Sequence, residues 1–291
     1  MEESEFKFPE GKKSSRHHYI PQFLLNAFVN SDDNLYVFDK QKDKILDNPR
    51  PPKSIFFERD RNTVEITETM ESSIIEDLFY SKIDSESSKV VKYFQQENLE
   101  KVSFNIENTA QFEFFLINLF WRIPKTDFAV EDLMDRSEIK SKGIDPEILR
   151  NDPTYRKLKR TGLFKHHIDE MVKNGKNVRK SVNVHQSNGA SYVIGDYPLL
   201  FRKTPRLFSE FGEVDFQIAI SSKRLYSSTI ESLKTTVENS YMYNAAIIEQ
   251  STRYIACADK SDLQKNIEFY NELKSRGLNY SASEMAFHSK T

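Results

Sequence analysis

The sequence predicts an α+β fold, in which strands and helices occupy separate stretches of the chain. Three observations support this class: strand-like apolar runs lie near the N-terminus, a helical region spans about residues 70–180, and strand-like runs return after it. We therefore expect a small N-terminal β hairpin or sheet, a central helical region, and a C-terminal mixed sheet with two helices. The predicted organisation is a flexible tail at 1–15, a single domain at 16–275 and a second tail at 276–291.

The N-terminal part predicts a short helix followed by a hairpin. Pro21 fits the first turn of a helix, because a proline lacks the N–H that would have no partner there. The stretch Leu35–Phe38 is strand-like, and Ile45 with Leu46 begins a return strand after a polar turn, which indicates a hairpin. A third strand is expected at 54–58.

The central part predicts helices from apolar residues at helical spacing. Residues 70–96 read as one long helix or a broken pair, because apolar side chains recur every four positions. A second helix has a strong apolar stripe from Phe112 to Phe120 and is stopped by Pro124. A more polar helical stretch at 127–178 follows.

The C-terminal part predicts strands and two helices. Strands are expected at 182–184, 191–194, 199–201, 216–220 and 253–256. Helices are expected at about 229–248 and 260–275.

Composition excludes several classes of protein. The net charge is only -2 and the aromatic fraction is 12%, which argues against global disorder. Cys257 is the only cysteine, so no internal disulfide can form and a reducing compartment is favoured. No apolar stretch approaches the about 20 residues of a membrane helix. We expect a cytoplasmic protein without a membrane partner, and with 8 glycines no glycine-rich cofactor loop.

The first candidate site is the run Arg16–Phe23, with the sequence RHHYIPQF. The chain is expected to arrive extended and to enter a helix at Pro21, whose N-terminal N–H groups suit an anion. His17 or His18 would act as general acid or base, or as a metal ligand. Neighbouring side chains of an extended segment point in opposite directions, so only one ring should face a pocket. A purely structural role for both histidines is equally open.

Two acidic residues after the third predicted strand form a candidate metal site. Glu58 and Asp60 would lie on one face of an extended segment and share a divalent cation, Mg²⁺ or Mn²⁺, with a histidine. The alternative is a solvated turn in which alternating charges neutralise one another.

Two further polar residues lie at the ends of apolar elements. Arg122 ends the apolar helix close to its buried stripe, where it would clamp a phosphate or pair with a structural carboxylate. Asp196 follows an apolar strand and precedes a turn. It would either bind a metal or orient a histidine, or it would cap the turn.

A basic stretch at 156–180 contains nine lysines and arginines and two acids. Such a stretch can bind a nucleic-acid backbone although the whole chain is nearly neutral. The alternatives are pairing with the acidic segment at 65–87 or a solvated helix face. The residues that we assign to nucleic-acid binding are Arg156, Lys157, Lys159, Arg160 and Lys165.

These motifs resemble a bacterial domain-of-unknown-function family, number 4238. Its members typically open with His-His-Tyr-(Val/Ile)-Pro-Gln-Phe, as at 17–23, and continue with a Leu-Tyr-x-(Tyr/Phe)-Asp strand, as at 35–39. An acidic helix ending in Ser-Lys-Ile-Asp and an Arg-Ile-Pro turn match 81–84 and 122–124. The family's Ser-Asp-x-Pro turn is matched imperfectly, since Gly195 replaces the serine. The resemblance implies one cytoplasmic domain and no established activity.

The leading hypothesis is a phosphate-directed hydrolase that acts on nucleic acid, with His17 or His18, Asp196 and Arg122 as its catalytic set. A defence or toxin effector with nuclease activity would fit this chemistry. The rival hypothesis is a non-catalytic binding or regulatory module, in which the His-His-Tyr-x-Pro run is structural.

Overall fold

The computed structural model describes the greater part of the chain. The described residues are 15–67, 70–96, 106–136, 145–174, 182–187, 190–205, 214–228, 237–278 and 280–287. The predicted N-terminal tail therefore lies almost entirely outside the described residues, and so does the start of the helix predicted at 229–248.

The predicted hairpin is confirmed and belongs to a larger sheet. Strand β2 (Tyr36–Asp39) pairs antiparallel with β3 (Lys44–Ile45). Its other edge pairs with β12 (Tyr254–Cys257), which in turn pairs with β8 (Ile194–Gly195). We predicted that the N-terminal and C-terminal strands belong to different sheets. The structure instead joins strands from both ends of the chain in one four-stranded sheet of order β3-β2-β12-β8.

The histidine run forms the second N-terminal element. Strand β1 (Arg16–His18) pairs antiparallel with β4 (Phe57–Arg59), and a single helical turn, α1 (Gln22–Leu25), follows Pro21. With four residues, α1 is too short for the anion-binding helix terminus that we expected, because a macrodipole needs several aligned peptide units.

Strand β4 is bracketed by two residues in left-handed conformations. Phe56 has φ 54° and Asp60 has φ 53°, which is uncommon for residues with a Cβ atom and most unusual for a bulky one. Phe56 is buried, with its ring edge-on to Tyr19 and Tyr254 at centroid distances of 6.3 Å. The third strand is therefore shorter and later than predicted, since the chain turns sharply at each end of it.

The central region is helical but begins later than predicted. The residues at the start of the predicted helix instead form β6 (Met70–Ser72), which pairs with β5 (Val64–Thr67). A π-helical segment at Ile75–Tyr80 then leads directly into α2. The central helices are α2 (Ser81–Phe94), α3 (Ile106–Arg122), α4 (Asp127–Arg136), α5 (Pro146–Asn151) and α6 (Pro153–Asn174).

Helices α2 and α3 run antiparallel and bring their distant ends together. Phe94 at the end of α2 packs edge-on against Phe112 near the start of α3, with ring centroids 5.3 Å apart. At the other end of the pair, Asp84 of α2 meets Arg122 of α3. This packing places the last residue of α3 beside the first turn of α2, where β1 also arrives.

The C-terminal half contains a second four-stranded antiparallel sheet. Its order is β7-β11-β10-β9, from β7 (Asn183–Gln186), β9 (Leu200–Phe201), β10 (Phe216–Ser221) and β11 (Arg224–Ser228). Strand β11 was not predicted, because its sequence is largely polar although every residue in it is buried.

In the described residues after β11, the helices are α7 (Val237–Gln250), α8 (Lys260–Ser275) and α9 (Ala282–Phe287). Helix α9 lies in the stretch that we predicted as a C-terminal tail, yet Met285 and Phe287 are buried in the core. The largest hydrophobic cluster extends from Tyr19 to Phe287 and includes residues of both large sheets and of α2 and α3. The α+β class is confirmed.

Candidate functional site

A polar cavity lies where β1, the π-helical segment, α2 and the end of α3 meet. Its volume is about 330 Å³, which is near the lower end for small-molecule sites. The cavity is lined by His18, Gln22, Phe23, Glu76, Asp84, Ser85, Ser88 and Arg122. Two residues of the predicted catalytic set, His18 and Arg122, are therefore brought together.

The pairing of β1 with β4 sends the two histidines in different directions. His17 is opposite Glu58 and His18 is opposite Phe57 in the strand register. The His17 ring is fully buried, and its Nδ1 accepts the backbone N–H of Asn62 at 2.8 Å. Of the two rings, only that of His18 lines the cavity, as expected for neighbouring residues of a strand.

His18 is held as a neutral imidazole. Burial, followed by the positive charge of Arg122, lowers the pKa of His18 to about 4, although the carbonyls of Pro52 and Lys53 oppose this shift. Nδ1 lies 3.4 Å from the side-chain amide nitrogen of Gln22 and accepts from it, so the hydrogen resides on Nε2. Nε2 is buried and is not aligned with any hydrogen-bond partner. Because Gln22 also lines the cavity, Nδ1 is the ring nitrogen on the cavity side.

Arg122 is buried in a set of opposite charges. Its Nη1 donates to both oxygens of Asp84 at 2.7 and 2.8 Å, and its Nη2 lies 3.4 Å from Glu76. The guanidinium carbon sits 4.6 Å from the centroid of the Tyr80 ring. These carboxylates raise the pKa of Arg122 against the opposing effect of burial. The structure thus shows the pairing with carboxylates that we gave as the alternative to a phosphate clamp.

A second ion-pair group, formed around Arg61, contacts the end of α3. Arg61 donates to Glu58 at 2.7 Å and to both oxygens of Asp127 at 2.7 and 3.0 Å, and its Nε donates to the carbonyl of Arg122 at 3.1 Å. Asn62 donates its side-chain amide to Glu76 at 2.8 Å. This connected network fixes the end of α3 and the orientation of Glu76.

Glu76, Asp84 and Arg61 were not predicted as site residues. Asp84 is the last residue of the Ser-Lys-Ile-Asp motif that resembles the family. Because Arg122 lies on the buried face of a helix, its guanidinium requires carboxylate partners. The acidic segment at 65–87 was the sequence signal that could have identified them. Which of its seven acids meet Arg122 depends on the packing of α2 against α3.

The geometry assumed for the metal site is absent. Asp60 is in the left-handed region, so the segment from Glu58 to Asp60 is not extended and the two carboxylates do not share a face. Glu58 pairs with Arg61, and Asp60 lies 3.4 Å from the hydroxyl of Thr63. In the part of the chain that the structure describes, no group of three or more His, Cys, Asp or Glu residues could hold a metal ion. The role of Mg²⁺ or Mn²⁺ stays a prediction without geometric support.

The sequence was compared with protein families, curated proteins and solved structures. The model of a family described as "Protein of unknown function (DUF4238)" matches residues 16–261. The chain belongs to the DUF4238 family. No curated protein and no solved structure matches it. The matched region includes every residue that lines the cavity.

Asp196, in the DUF4238 turn motif, lies outside the cavity. Its Oδ1 accepts the N–H of Thr252 at 2.9 Å, and its Oδ2 accepts the Thr252 hydroxyl at 2.8 Å and the N–H of Arg253 at 2.7 Å. The N–H of Tyr254 lies 3.3 Å from the same oxygen. Asp196 therefore anchors the turn between α7 and β12. This is the turn-capping alternative. The catalytic role predicted for Asp196 has no geometric support, because Asp196 does not line the cavity that contains His18.

Replacing Asp196 by alanine should lower the free energy of unfolding by about 2–3 kcal/mol, because the donors of Thr252, Arg253 and Tyr254 would lose a buried, charged acceptor. Urea denaturation measures this loss. Asp47→Ala is the matched control: its carboxylate is 85% exposed and pairs only with Lys44 at 3.7 Å, so a change within about 0.5 kcal/mol is expected. Similar small effects of both substitutions would contradict the anchoring role.

Gly195 fills the place of the serine expected in the DUF4238 turn. A Cβ atom at Gly195 would lie 2.0 Å from Ser251 Oγ and 2.9 Å from Ile247 Cγ2. Ser251 Oγ donates to the carbonyl of Ile247 at 2.7 Å and is buried. In this chain, the space of any side chain at 195 is thus occupied by α7.

Gly195→Ser should accordingly destabilise the fold by about 1–3 kcal/mol through overpacking. The double variant Gly195→Ser with Ser251→Gly should recover part of the loss, because the closest clash is removed. Thermal and urea unfolding provide the measurement. Gly162→Ser serves as control, since nothing lies within 4 Å of a Cβ at that helical position; a loss as large at 162 as at 195 would refute the steric explanation.

Four of the five basic residues that we assigned to nucleic acid contact polar groups of the chain itself. Arg160 is buried, with its Nε 3.4 Å from Asp127, and Lys157 donates to the carbonyl of Thr63 at 2.7 Å. Lys165 pairs with Asp169 at 2.6 Å. Arg156 lies 4.0 Å from Glu131, and Lys159 is half-buried. None of these contacts is with the acidic segment at 65–87, so they do not decide between the alternatives, and nucleic-acid binding stays a prediction.

Within the described residues, no helix has both the length and the apolar character required to cross a membrane.

Proposed function

We propose that this DUF4238 chain is a hydrolase in which His18 acts as general base. The observation that carries the proposal is a buried, uncharged imidazole in the wall of a polar cavity. A neutral imidazole can take a proton at any pH above its pKa, and placement in a partly enclosed site keeps the base in contact with few water molecules. Hydrolysis is the part of the sequence-based hypothesis that this arrangement supports.

The surrounding residues suit proton transfer at Nδ1 of His18. In the structure the lone pair of Nδ1 accepts from the Gln22 amide at 3.4 Å. A water molecule would take the place of this amide, and Nδ1 would remove its proton while the water oxygen attacks the carbonyl carbon of an ester or amide. The imidazolium that forms would share the cavity with Glu76, Asp84 and Arg122. The two carboxylates would favour its positive charge, whereas Arg122 opposes it. His18 would then return the proton to the leaving group, so that the ring is neutral again.

His18→Gln should reduce hydrolysis by at least about 100-fold, the usual scale of a general base. A panel of p-nitrophenyl esters, p-nitroanilide amides and bis(p-nitrophenyl) phosphate would be tested with the full chain. His166→Gln is the control, because that ring is exposed on α6 outside the cavity. Phosphodiester cleavage would restore the phosphate-directed hypothesis. Turnover that is unchanged in His18→Gln, or absent in the unmodified protein, would contradict the proposal.

The second candidate is a binding module that uses the same cavity without turnover. The observation that favours it is the structural role of the rest of the run: His17 and Ile20 are fully buried, and β1 is tied to β4. A run needed for folding requires no catalytic explanation. Ligand binding in the absence of any hydrolysis would favour this candidate.

A further inference from the structure

The polar side chains of the His18 cavity include two carboxylates that solvent can reach, beside the exposed amide of Gln22. The carboxylate side chains of Glu76 and Asp84 are 18% and 23% exposed, whereas the side chain of Arg122 is 2% exposed. The hydroxyl of Ser85 lies on the exposed surface of α2, and Ser88 is half-buried. Arg122, the strongest hydrogen-bond donor of the cavity, is therefore less accessible to a ligand than Glu76 and Asp84, the two carboxylates with which it pairs.

The charges of the cavity leave an excess of negative charge. Two carboxylates and one guanidinium line the cavity, and His18 is neutral. The charge of Arg16 also lowers the pKa of His18, after burial and Arg122. Arg16 does not line the cavity, however: its side chain is exposed, with its guanidinium carbon 5.2 Å from the centroid of the Phe57 ring. Solvent screens such an exposed charge strongly. An anionic ligand would thus meet two carboxylates and no accessible guanidinium.

Phe23 supplies an aromatic surface beside these acceptors. Its ring is partly exposed and packs against Phe115 with a centroid distance of 5.7 Å, which fixes its position. An aromatic face next to carboxylates attracts an organic cation through its quadrupole. The buried imidazole of His18 in the same wall, with Nδ1 on the cavity side, adds a polar group that is not an acid.

We propose that the cavity binds the protonated amine of a small organic molecule, with the ammonium group between Glu76 and Asp84 and its carbon chain against Phe23. Each N–H of an ammonium needs an acceptor, and the two carboxylates and the serine hydroxyls provide them. A volume of about 330 Å³ limits the ligand to a compact molecule. Insofar as this ligand is the substrate, the inference rests on the proposed function, and the substrate is an amine-bearing ester or amide.

The test compares three ligands of one shape: n-butylammonium, 1-butanol and butyrate. Binding to the full chain is measured by calorimetry and by NMR of the histidine ring signals, with the His18 signal assigned through His18→Gln. Butylammonium should bind about tenfold more tightly than butanol, which corresponds to about 1.4 kcal/mol, and butyrate should not bind. Equal affinities, a preference for butyrate, or no shift of the His18 signal would overturn the inference.

Variants separate the contributions of the two carboxylates and the ring. Glu76→Gln and Phe23→Leu should each weaken butylammonium binding severalfold and leave butanol unaffected or weaker. Glu249→Gln is the matched control, because it removes a carboxylate that pairs with Lys274 outside the cavity. If Glu76→Gln does not fold, Phe23→Leu and the three-ligand comparison still decide. Amine binding without turnover contradicts only the hydrolase proposal, and turnover without amine preference contradicts only this inference.

Discussion

Arg122→Met is expected to lower the free energy of unfolding by about 3–5 kcal/mol, the cost of breaking a buried ion pair by removing one partner. The side chain is 2% exposed, and it satisfies both oxygens of Asp84 as well as one of Glu76. Methionine has a similar length and would leave these carboxylates beside the core without a counter-ion. The substitution would also remove the cation–π contact between the Arg122 guanidinium and the Tyr80 ring.

Urea denaturation of the full chain measures the effect of Arg122→Met. Arg202→Met is the control, because the Arg202 side chain is 47% exposed and its pair with Asp215 is a surface pair, worth at most about 1 kcal/mol. The double variant Arg122→Met with Asp84→Leu should recover part of the loss, since it removes one of the stranded charges. A loss below about 1 kcal/mol, or no recovery in the double variant, would show that the pair is unimportant for stability.

Acidification from pH 6.5 to pH 4 is expected to destabilise the protein through two buried histidines. Burial is the largest cause of the lowered pKa of His18 and of His167, each of which falls to about 4. In the unfolded chain both rings take up protons near pH 6.5. Between the two pKa values, the unfolded state therefore binds more protons than the folded state, and stability falls as the pH falls.

The magnitude follows from the size of the pKa shifts. Each ring contributes about 2–3 kcal/mol that is fully present above pH 6.5 and lost by about pH 4. For His167 the loss has a visible structural cause, since its Nδ1 lies 3.2 Å from Trp121 Nε1 and accepts that N–H. Protonation of Nδ1 would break this bond.

Unfolding curves at a series of pH values test the histidine linkage. Aspartates and glutamates also titrate in this range, so the informative quantity is the difference between the unmodified chain and the double variant His18→Gln with His167→Gln. The difference in unfolding free energy should shrink steadily from pH 6.5 to 4. Parallel pH profiles for the two proteins would be inconsistent with neutral, buried rings.

The same network connects stability with the proposed chemistry. Arg122 lowers the pKa of His18 and also holds Glu76 and Asp84 in the cavity wall. The network in turn depends on Asn62, which binds both His17 and Glu76. We expect substitutions in this group to change folding and ligand binding together, which is why Phe23, a partly exposed residue outside the network, is a more useful probe.

Several features could be predicted because they depend on local sequence. The hairpin at 36–45, the apolar helix ending at Arg122 and the helix at 260–275 follow from periodicity and turn residues. The divergence of His17 and His18 follows from the geometry of any extended segment. Other features were hidden: β11 has a polar sequence but is buried, and Phe56 and Asp60 adopt conformations that their residue types do not favour.

The sequence by itself determined the α+β class and the family membership, and it selected His18 and Arg122 as candidate site residues. The tertiary structure decided which polar residues meet. Asp84 contacts Arg122 because α2 and α3 are antiparallel. Asp196 instead binds Thr252, because the pairing of β8 with β12 places it beside the turn that precedes β12. Such contacts join residues far apart in the chain, and no local propensity specifies them, because each depends on how whole elements pack.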